Sequence, residues 1–145
     1  MISLGMRQPA GASVAEFLLD TEAASRLMRA ERSLVARMRQ SGAKSISISS
    51  VSMAELLYGA RLREDNPSVM STVRAFFARI LIHAWDDAAA EAHARIRIHA
   101  KRQGRSAGMF DIMIAAHADA LGATLVTNDA AIKNLAVDGL KIISW

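Results

Sequence analysis

Short apolar runs alternate with amphipathic stretches along nearly the whole chain. Phe17-Leu18-Leu19 is a compact apolar run ending at Asp20-Thr21, the pattern of a buried strand. From Ala23 to Gln40 the period becomes helical. Leu27, Leu34, Val35 and Met38 share one face, and Arg26, Arg29, Arg32, Arg37 and Arg39 fill much of the rest until Ser41-Gly42 stops it. Residues 45–49, Ser-Ile-Ser-Ile-Ser, alternate with period two and predict a second strand. Ser52 stands three residues before Glu55 and reads as the N-cap of the next helix. Asp65-Asn66-Pro67 predicts a turn, with Pro67 opening a helix that runs to about Arg79.

Ile80 to Trp85 predicts a third strand, and Asp86-Asp87 suits the cap of a long helix after it. Gly104 and Gly108 flank a loop. Phe110 to Leu121 then reads as a nearly apolar helix closed by Gly122. Ala123 to Thr127 predicts a strand, Asn128-Asp129 a short helical piece, and Leu140 to Ser144 the last strand. Strands and helices alternating through short connections predict the α/β class, a sandwich around a mostly parallel sheet covered on both faces.

Composition narrows this picture. At 145 residues, 52% hydrophobic and 22% charged, the chain is one globular domain rather than two or none. It has no cysteine, which excludes disulfide scaffolds, thiol nucleophiles and thiolate zinc sites. No apolar run approaches the roughly 20 residues that span a bilayer, and the broken N-terminal stretch does not read as a signal peptide. A cytoplasmic protein without membrane association is expected, with a flexible leader over 1–15 and a single domain over 16–145. The formal charge of +4 is compatible with a polyanionic partner without establishing one.

The chemistry must then come from carboxylates, amides, histidines or hydroxyls, and four acids share a placement. Asp20 closes the first strand. Glu55 lies one turn into the helix after the second. Asp111 sits near the start of an otherwise apolar helix, and Asp129 follows the Ala-Thr-Leu-Val-Thr strand. In a parallel sheet the strand C-termini and the helix starts after them gather at one edge. Any one of these acids can be a cap or a helix-dipole partner. Asp111 is harder to read that way, because an unpaired carboxylate is costly among Ile112, Ile114 and Ala115. Gathered carboxylates repel one another and suit a hard divalent cation. Mg²⁺ or Mn²⁺ can bind a phosphate oxygen, acidify water and offset charge at phosphorus.

At these residues the sequence resembles the PIN domain, and within it the VapC toxins of toxin–antitoxin pairs. The resemblance is carried by Leu18-Leu19-Asp20-Thr21, by residues 49–59 around Glu55, by Asp111-Ile112-Met113-Ile114-Ala115-Ala116-His117-Ala118, and by Leu125-Val126-Thr127-Asn128-Asp129. It covers nearly everything from about Glu16 onward, and the order and spacing of the fragments are more specific than any one of them. It implies a PIN-like three-layer α/β/α fold and a Mg²⁺-dependent (or Mn²⁺-dependent) endoribonuclease. Asp20, Glu55, Asp111 and Asp129 would be its metal-binding and catalytic acids. It further implies a toxin of a type II pair that cuts transfer or ribosomal RNA, forms a homodimer and is held inactive by a VapB-type antitoxin. The alternatives are a PIN nuclease acting on another nucleic acid, or a catalytically weakened PIN-fold binding module. The second alternative arises because Glu22 stands where the family usually has Asn, and ionised Glu has lost the donor.

Thr21, Glu22, Thr127 and Asn128 are candidates to bond and orient the ligand acids. Arg95, Arg97, Lys101, Arg102 and Arg105 form the strongest basic cluster, either a solvated helix face or a phosphate-steering surface for RNA. His117 lies six residues beyond Asp111, off its helix face, and is read as structural. Tyr58 and the apolar face bearing Leu56, Leu57 and Phe76 suit dimer or antitoxin contacts.

Overall fold

A computed structural model describes residues 16–42 and 45–145; the expected leader over 1–15 lies outside the described residues. The strands are β1 (Glu16–Leu19), β2 (Ser45–Ser49), β3 (Leu81–His83), β4 (Thr124–Val126) and β5 (Ile142–Ile143). The helices are α1 (Thr21–Met28), α2 (Arg32–Gln40), α3 (Ser50–Arg61), α4 (Pro67–Phe77), α5 (Asp87–Arg102), α6 (Met109–Leu121) and α7 (Ala130–Asn134). All strand pairs are parallel and the sheet order is β3-β2-β1-β4-β5. From β1 the chain winds outward to β3, then returns to β4 on the other side. The switch point therefore lies between β1 and β4, where Leu19 pairs with Val126.

Each face of the sheet buries its own core, giving three α/β/α layers. Phe17, Leu19, Ile48 and Val126 pack with Ala24 of α1, Leu34 of α2, Leu56 of α3 and Val73 of α4. Leu18 and Leu125 face the other way, against Ile114, Ala115 and Ala118 of α6 and Ile132 of α7. Leu18, Leu19 and Leu125 are fully buried, each worth about 1.5–3 kcal/mol relative to exposure. No helix among the described residues is long and apolar enough to cross a membrane.

Two local expectations are corrected. The single helix expected from Ala23 to Gln40 is two helices, because α1 ends in a Schellman motif. Ala30 takes a left-handed φ of 54°, Ala30 N–H bonds Leu27 O and Glu31 N–H bonds Arg26 O. Arg26 and Glu31 clamp the break with two bonds of 3.0 and 2.8 Å. Glycine or asparagine usually marks such a break; alanine hides it. Ser52 is likewise not the N-cap of α3. Ser49 is, accepting from Val51 N–H at 3.1 Å, and Ser52 is buried within the first turn. Asn66, Asp86 and Asp129 cap α4, α5 and α7, and Gly122 closes α6 at φ 66°. Strands β3, β4 and β5 are shorter than the apolar runs that predict them.

His117 is structural, as its position suggests. It is buried, and its Nδ1 lies 2.8 Å from Ser49 Oγ. That hydroxyl also accepts from Val51 N–H, so α6 is fastened to the start of α3. Burial, then the His83 charge, hold His117 below the usual histidine range. The unfolded chain thus takes up its proton first as pH falls. The stability His117 contributes is complete above about pH 6.5 and is lost as pH drops below it. In thermal melts, the difference between the wild type and His117→Gln should therefore shrink between pH 7.5 and 5.5. A constant difference would contradict a neutral buried ring.

Candidate active site

The carboxyl edge of the sheet at the switch point holds the acids. Asp20 follows β1 directly and Asp129 stands three residues after the end of β4, so the register of the two strands brings them to the same edge. Asp20 is 4% exposed. Its Oδ1 accepts from Ala23 N–H at 2.7 Å, capping α1, and its Oδ2 accepts from the Thr127 hydroxyl at 2.5 Å. Thr127 Oγ1 in turn accepts from Asp129 N–H at 3.0 Å, so one buried hydroxyl orients one acid and positions the next. Asp129 Oδ1 caps α7 through Ile132 N–H at 3.0 Å.

Glu55 enters from α3. Thr21 Oγ1 donates to Glu55 Oε1 at 2.6 Å and stands 3.0 Å from Ser52 Oγ. Thr21 thus joins the first turn of α1 to the second turn of α3. Asp111 is the third residue of α6, where the helix dipole favours an anion. A Cβ on Gly108 would lie 3.0 Å from Asp111 Oδ2, so any other residue at that N-cap would press on the carboxylate and shift it by a few tenths of an ångström. Trp85 ties this end of α6 to the rest: its indole N–H bonds Met113 O and its amide bonds Ser50 Oγ, both at 3.0 Å.

The electrostatics record the convergence. Burial, then the charges of Asp129, Glu55 and Asp20, push the Asp111 carboxyl up to about 6. Burial also raises Asp20; the Thr127 and Ala23 bonds oppose it, and the Glu22 and Asp129 charges add to it. Three of the four acids are held by bonds from their own surroundings. Asp111 makes no side-chain bond to the described residues and is the acid most in need of a cation.

By donor type the set fits a hard divalent cation: oxygen ligands only, with mutual repulsion to be neutralised. Among the described residues, no three acid or histidine side chains form a ready-made cage around a single ion. For an ion to be held here, side-chain rotation or bridging water would have to complete its coordination.

The remaining candidates divide. Thr21 and Thr127 contact the acids as expected of orienting groups. Asn128 is exposed and donates to Trp145 O at 3.3 Å, holding the turn rather than an acid. Glu22 is exposed at a small cleft shared with Asp20, Thr127 and Asn128, where it adds negative charge. Arg95 is paired with Asp119 at 2.6 Å, while Arg97, Lys101, Arg102 and Arg105 are exposed without an acidic partner among the described residues. Sequence reasoning missed Ser52, whose position before Glu55 imitates a capping box. It also missed the close approach of Gly108 to the Asp111 carboxylate, because Gly108 reads as an ordinary loop glycine.

Known proteins resemble this chain over most of its length. The family model for the PIN domain matches residues 17–138. Over 130 residues, 90% of this chain and 98% of the relative, the sequence is 33% identical to the tRNA(fMet)-specific endonuclease VapC of Shigella flexneri. The fold is similar to that of VapBC from Salmonella typhimurium, solved bound to DNA. The TM-score is 0.79 at 28% identity, over 90% of this chain and 98% of that one. VapBC2 from Rickettsia felis, bound to a promoter DNA fragment, gives a TM-score of 0.80 at 26% identity over the same shares. The family match spans the strands and helices that carry Asp20, Glu55, Asp111 and Asp129, and the chain belongs to the PIN-domain family, close to its VapC toxins.

Proposed function

We propose that the chain is a Mg²⁺- or Mn²⁺-dependent endoribonuclease, the toxin of a type II toxin–antitoxin pair. The observation that carries this reading is the gathering of Asp20, Glu55, Asp111 and Asp129 at the switch point, with no Lys or Arg among the described residues bonded to any of them. A divalent ion held there would neutralise the carboxylates, polarise the scissile phosphate and acidify an attacking water. Asp111 and Asp20 would hold it most directly, with Glu55 and Asp129 acting directly or through water. Thr127 and Thr21 keep Asp20 and Glu55 turned to the same edge. Water adds its oxygen to phosphorus, the bond to the 3′-oxygen breaks, and that oxygen takes up a proton. The products are a 5′-phosphate and a 3′-hydroxyl.

RNA as substrate is supported by the Shigella flexneri relative, whose name specifies tRNA(fMet). A VapB-type antitoxin as partner is supported by the VapBC complexes. A groove of about 580 Å³ between α1, α2 and α4 suits one amphipathic helix of such an antitoxin. It is lined by Leu27, Met28, Met38, Ile46, Phe76 and Ile80. A homodimer and a cytoplasmic setting complete the proposal.

The purified chain with Mg²⁺ should cut RNA and leave single- and double-stranded DNA intact. Equal cleavage of DNA would move it to another nuclease of the same fold. Co-expressed with its cognate VapB-type antitoxin, the wild type should be neutralised. Ala75→Glu, which puts a charge into the groove, should escape neutralisation with at least tenfold weaker binding and undiminished RNA cleavage.

A further inference from the structure

The four acids are not mounted alike. Asp20 and Asp129 follow β1 and β4, paired strands whose ladder brings them to one edge. Glu55 and Asp111 ride on helices, and those helices belong to opposite layers. Leu56 and Ala60 of α3 pack into the core on the α1, α2 and α4 side of the sheet. Ile114, Ala115 and Ala118 of α6 pack into the core on the other side. Strand register therefore does not fix Glu55 against Asp111.

The start of α3 makes the connection. The helix begins directly at the carboxyl end of β2, and its first turn reaches the α6 side, where Val51 packs with Ile114 and Ala115. Two hydrogen-bonded routes run beside Val51 from consecutive serines to α6. Ser49, the N-cap, is fully buried. Its hydroxyl accepts from Val51 N–H at 3.1 Å, so its own hydrogen goes to His117 Nδ1, 2.8 Å away. Ser50 accepts from the Trp85 amide, and the Trp85 indole N–H donates to Met113 O, both at 3.0 Å. Met113 and His117 are one turn apart on a single face of α6, just beyond Asp111.

An apolar residue at position 117 would pack there without the cost of burying an imidazole. What His117 adds is direction. A fully satisfied buried bond fixes the rotation and slide of one helix against the other, as apolar contact alone does not.

We propose that the Ser49–His117 bond and the Ser50–Trp85–Met113 route form a brace that sets Glu55 against Asp111, with His117 and Trp85 as positioning residues for the cation site. The proposal rests on the metal-dependent nuclease reading and adds the device that holds acids from opposite layers together. Asp20 and Asp129 keep their places without it.

The test is Mn²⁺ affinity by calorimetry on the full chain, with melting curves in EDTA on the same samples. His117→Leu fills the space but offers Ser49 no acceptor. His117→Asn leaves a void but keeps an acceptor where Nδ1 stands. Trp85→Phe keeps an aromatic ring and removes the indole N–H. His117→Leu and Trp85→Phe should each weaken Mn²⁺ binding about tenfold while staying folded at the assay temperature. His117→Asn should melt lower than the wild type through its cavity, yet bind Mn²⁺ as the wild type does. In a Glu55→Gln background, His117→Leu should weaken binding little further, because the acid it positions is already neutral. Trp85→Phe alone decides the matter if His117→Leu does not fold. Asparagine as weak as leucine, with affinity following melting temperature, overturns the brace and leaves a packing role. The same loss with or without the Glu55 charge also overturns it. A wild type that binds Mn²⁺ and cuts RNA, with every variant binding as tightly, overturns the brace and spares the nuclease. A wild type that binds no Mn²⁺ overturns both.

Discussion

Asp111→Asn is expected to reduce metal-dependent RNA cleavage by on the order of 10²–10³-fold or more while leaving the fold intact. Asparagine keeps the shape that Gly108 accommodates, so the third position of α6 need not move. What disappears is the one of the four carboxylates without a side-chain bond among the described residues, the natural first ligand for a cation. The variant should melt higher than the wild type in EDTA, because Asp129, Glu55 and Asp20 no longer face a fourth charge. In a domain of this size each kcal/mol relieved raises the midpoint by about 2–4 °C. Single-turnover cleavage and paired melts check both halves. A variant that cuts at the wild-type rate removes Asp111 from the reaction, and one that melts lower in EDTA denies the repulsion.

Thr127→Val carries the second large effect, and it separates positioning from chemistry. Valine fits the same buried space but removes the 2.5 Å bond to Asp20 and the acceptor for Asp129 N–H. Losing a buried bond to a charged group and orphaning an amide costs about 1–3 kcal/mol of stability. The Thr127 bond also restrains the upward shift that burial imposes on Asp20. Without it Asp20 holds its proton more tightly and competes less well for a cation. Mn²⁺ affinity by calorimetry and the cleavage rate should each fall about 10–100-fold. Thr127→Ser keeps the hydroxyl and should restore both. Equal failure of serine and valine would point to lost packing rather than a lost bond.

The acids were legible in the sequence where local chemistry and topology agree. Phe17-Leu18-Leu19 ending at Asp20, and Leu125-Val126 running through Thr127-Asn128 to Asp129, each read as a buried strand delivering an acid to the carboxyl edge. The observed register sets those strands side by side. Asp111 stood out because its helix is otherwise apolar. The break between α1 and α2 was hidden because Ala30 adopts a left-handed conformation without the glycine that usually announces one. Ser52 was misread for a related reason: the same spacing to Glu55 serves a capping box and a buried contact, and only the position of Thr21 decides between them. The division of the basic cluster depended on Asp119, a partner 24 residues from Arg95 that no local pattern exposes. Pairings set by tertiary packing were the part a linear reading could not reach.

The most direct test of the carboxylate edge as a metal-dependent ribonuclease is to sequence the ends of cleaved RNA from matched reactions in Mg²⁺ and in EDTA. Cuts bearing a 5′-phosphate and a 3′-hydroxyl, present with Mg²⁺ and absent with EDTA, are the predicted result. Cuts that persist in EDTA, or that end in a 2′,3′-cyclic phosphate, would contradict it, because attack by the RNA's own 2′-hydroxyl needs neither the ion nor the four acids that gather to hold it.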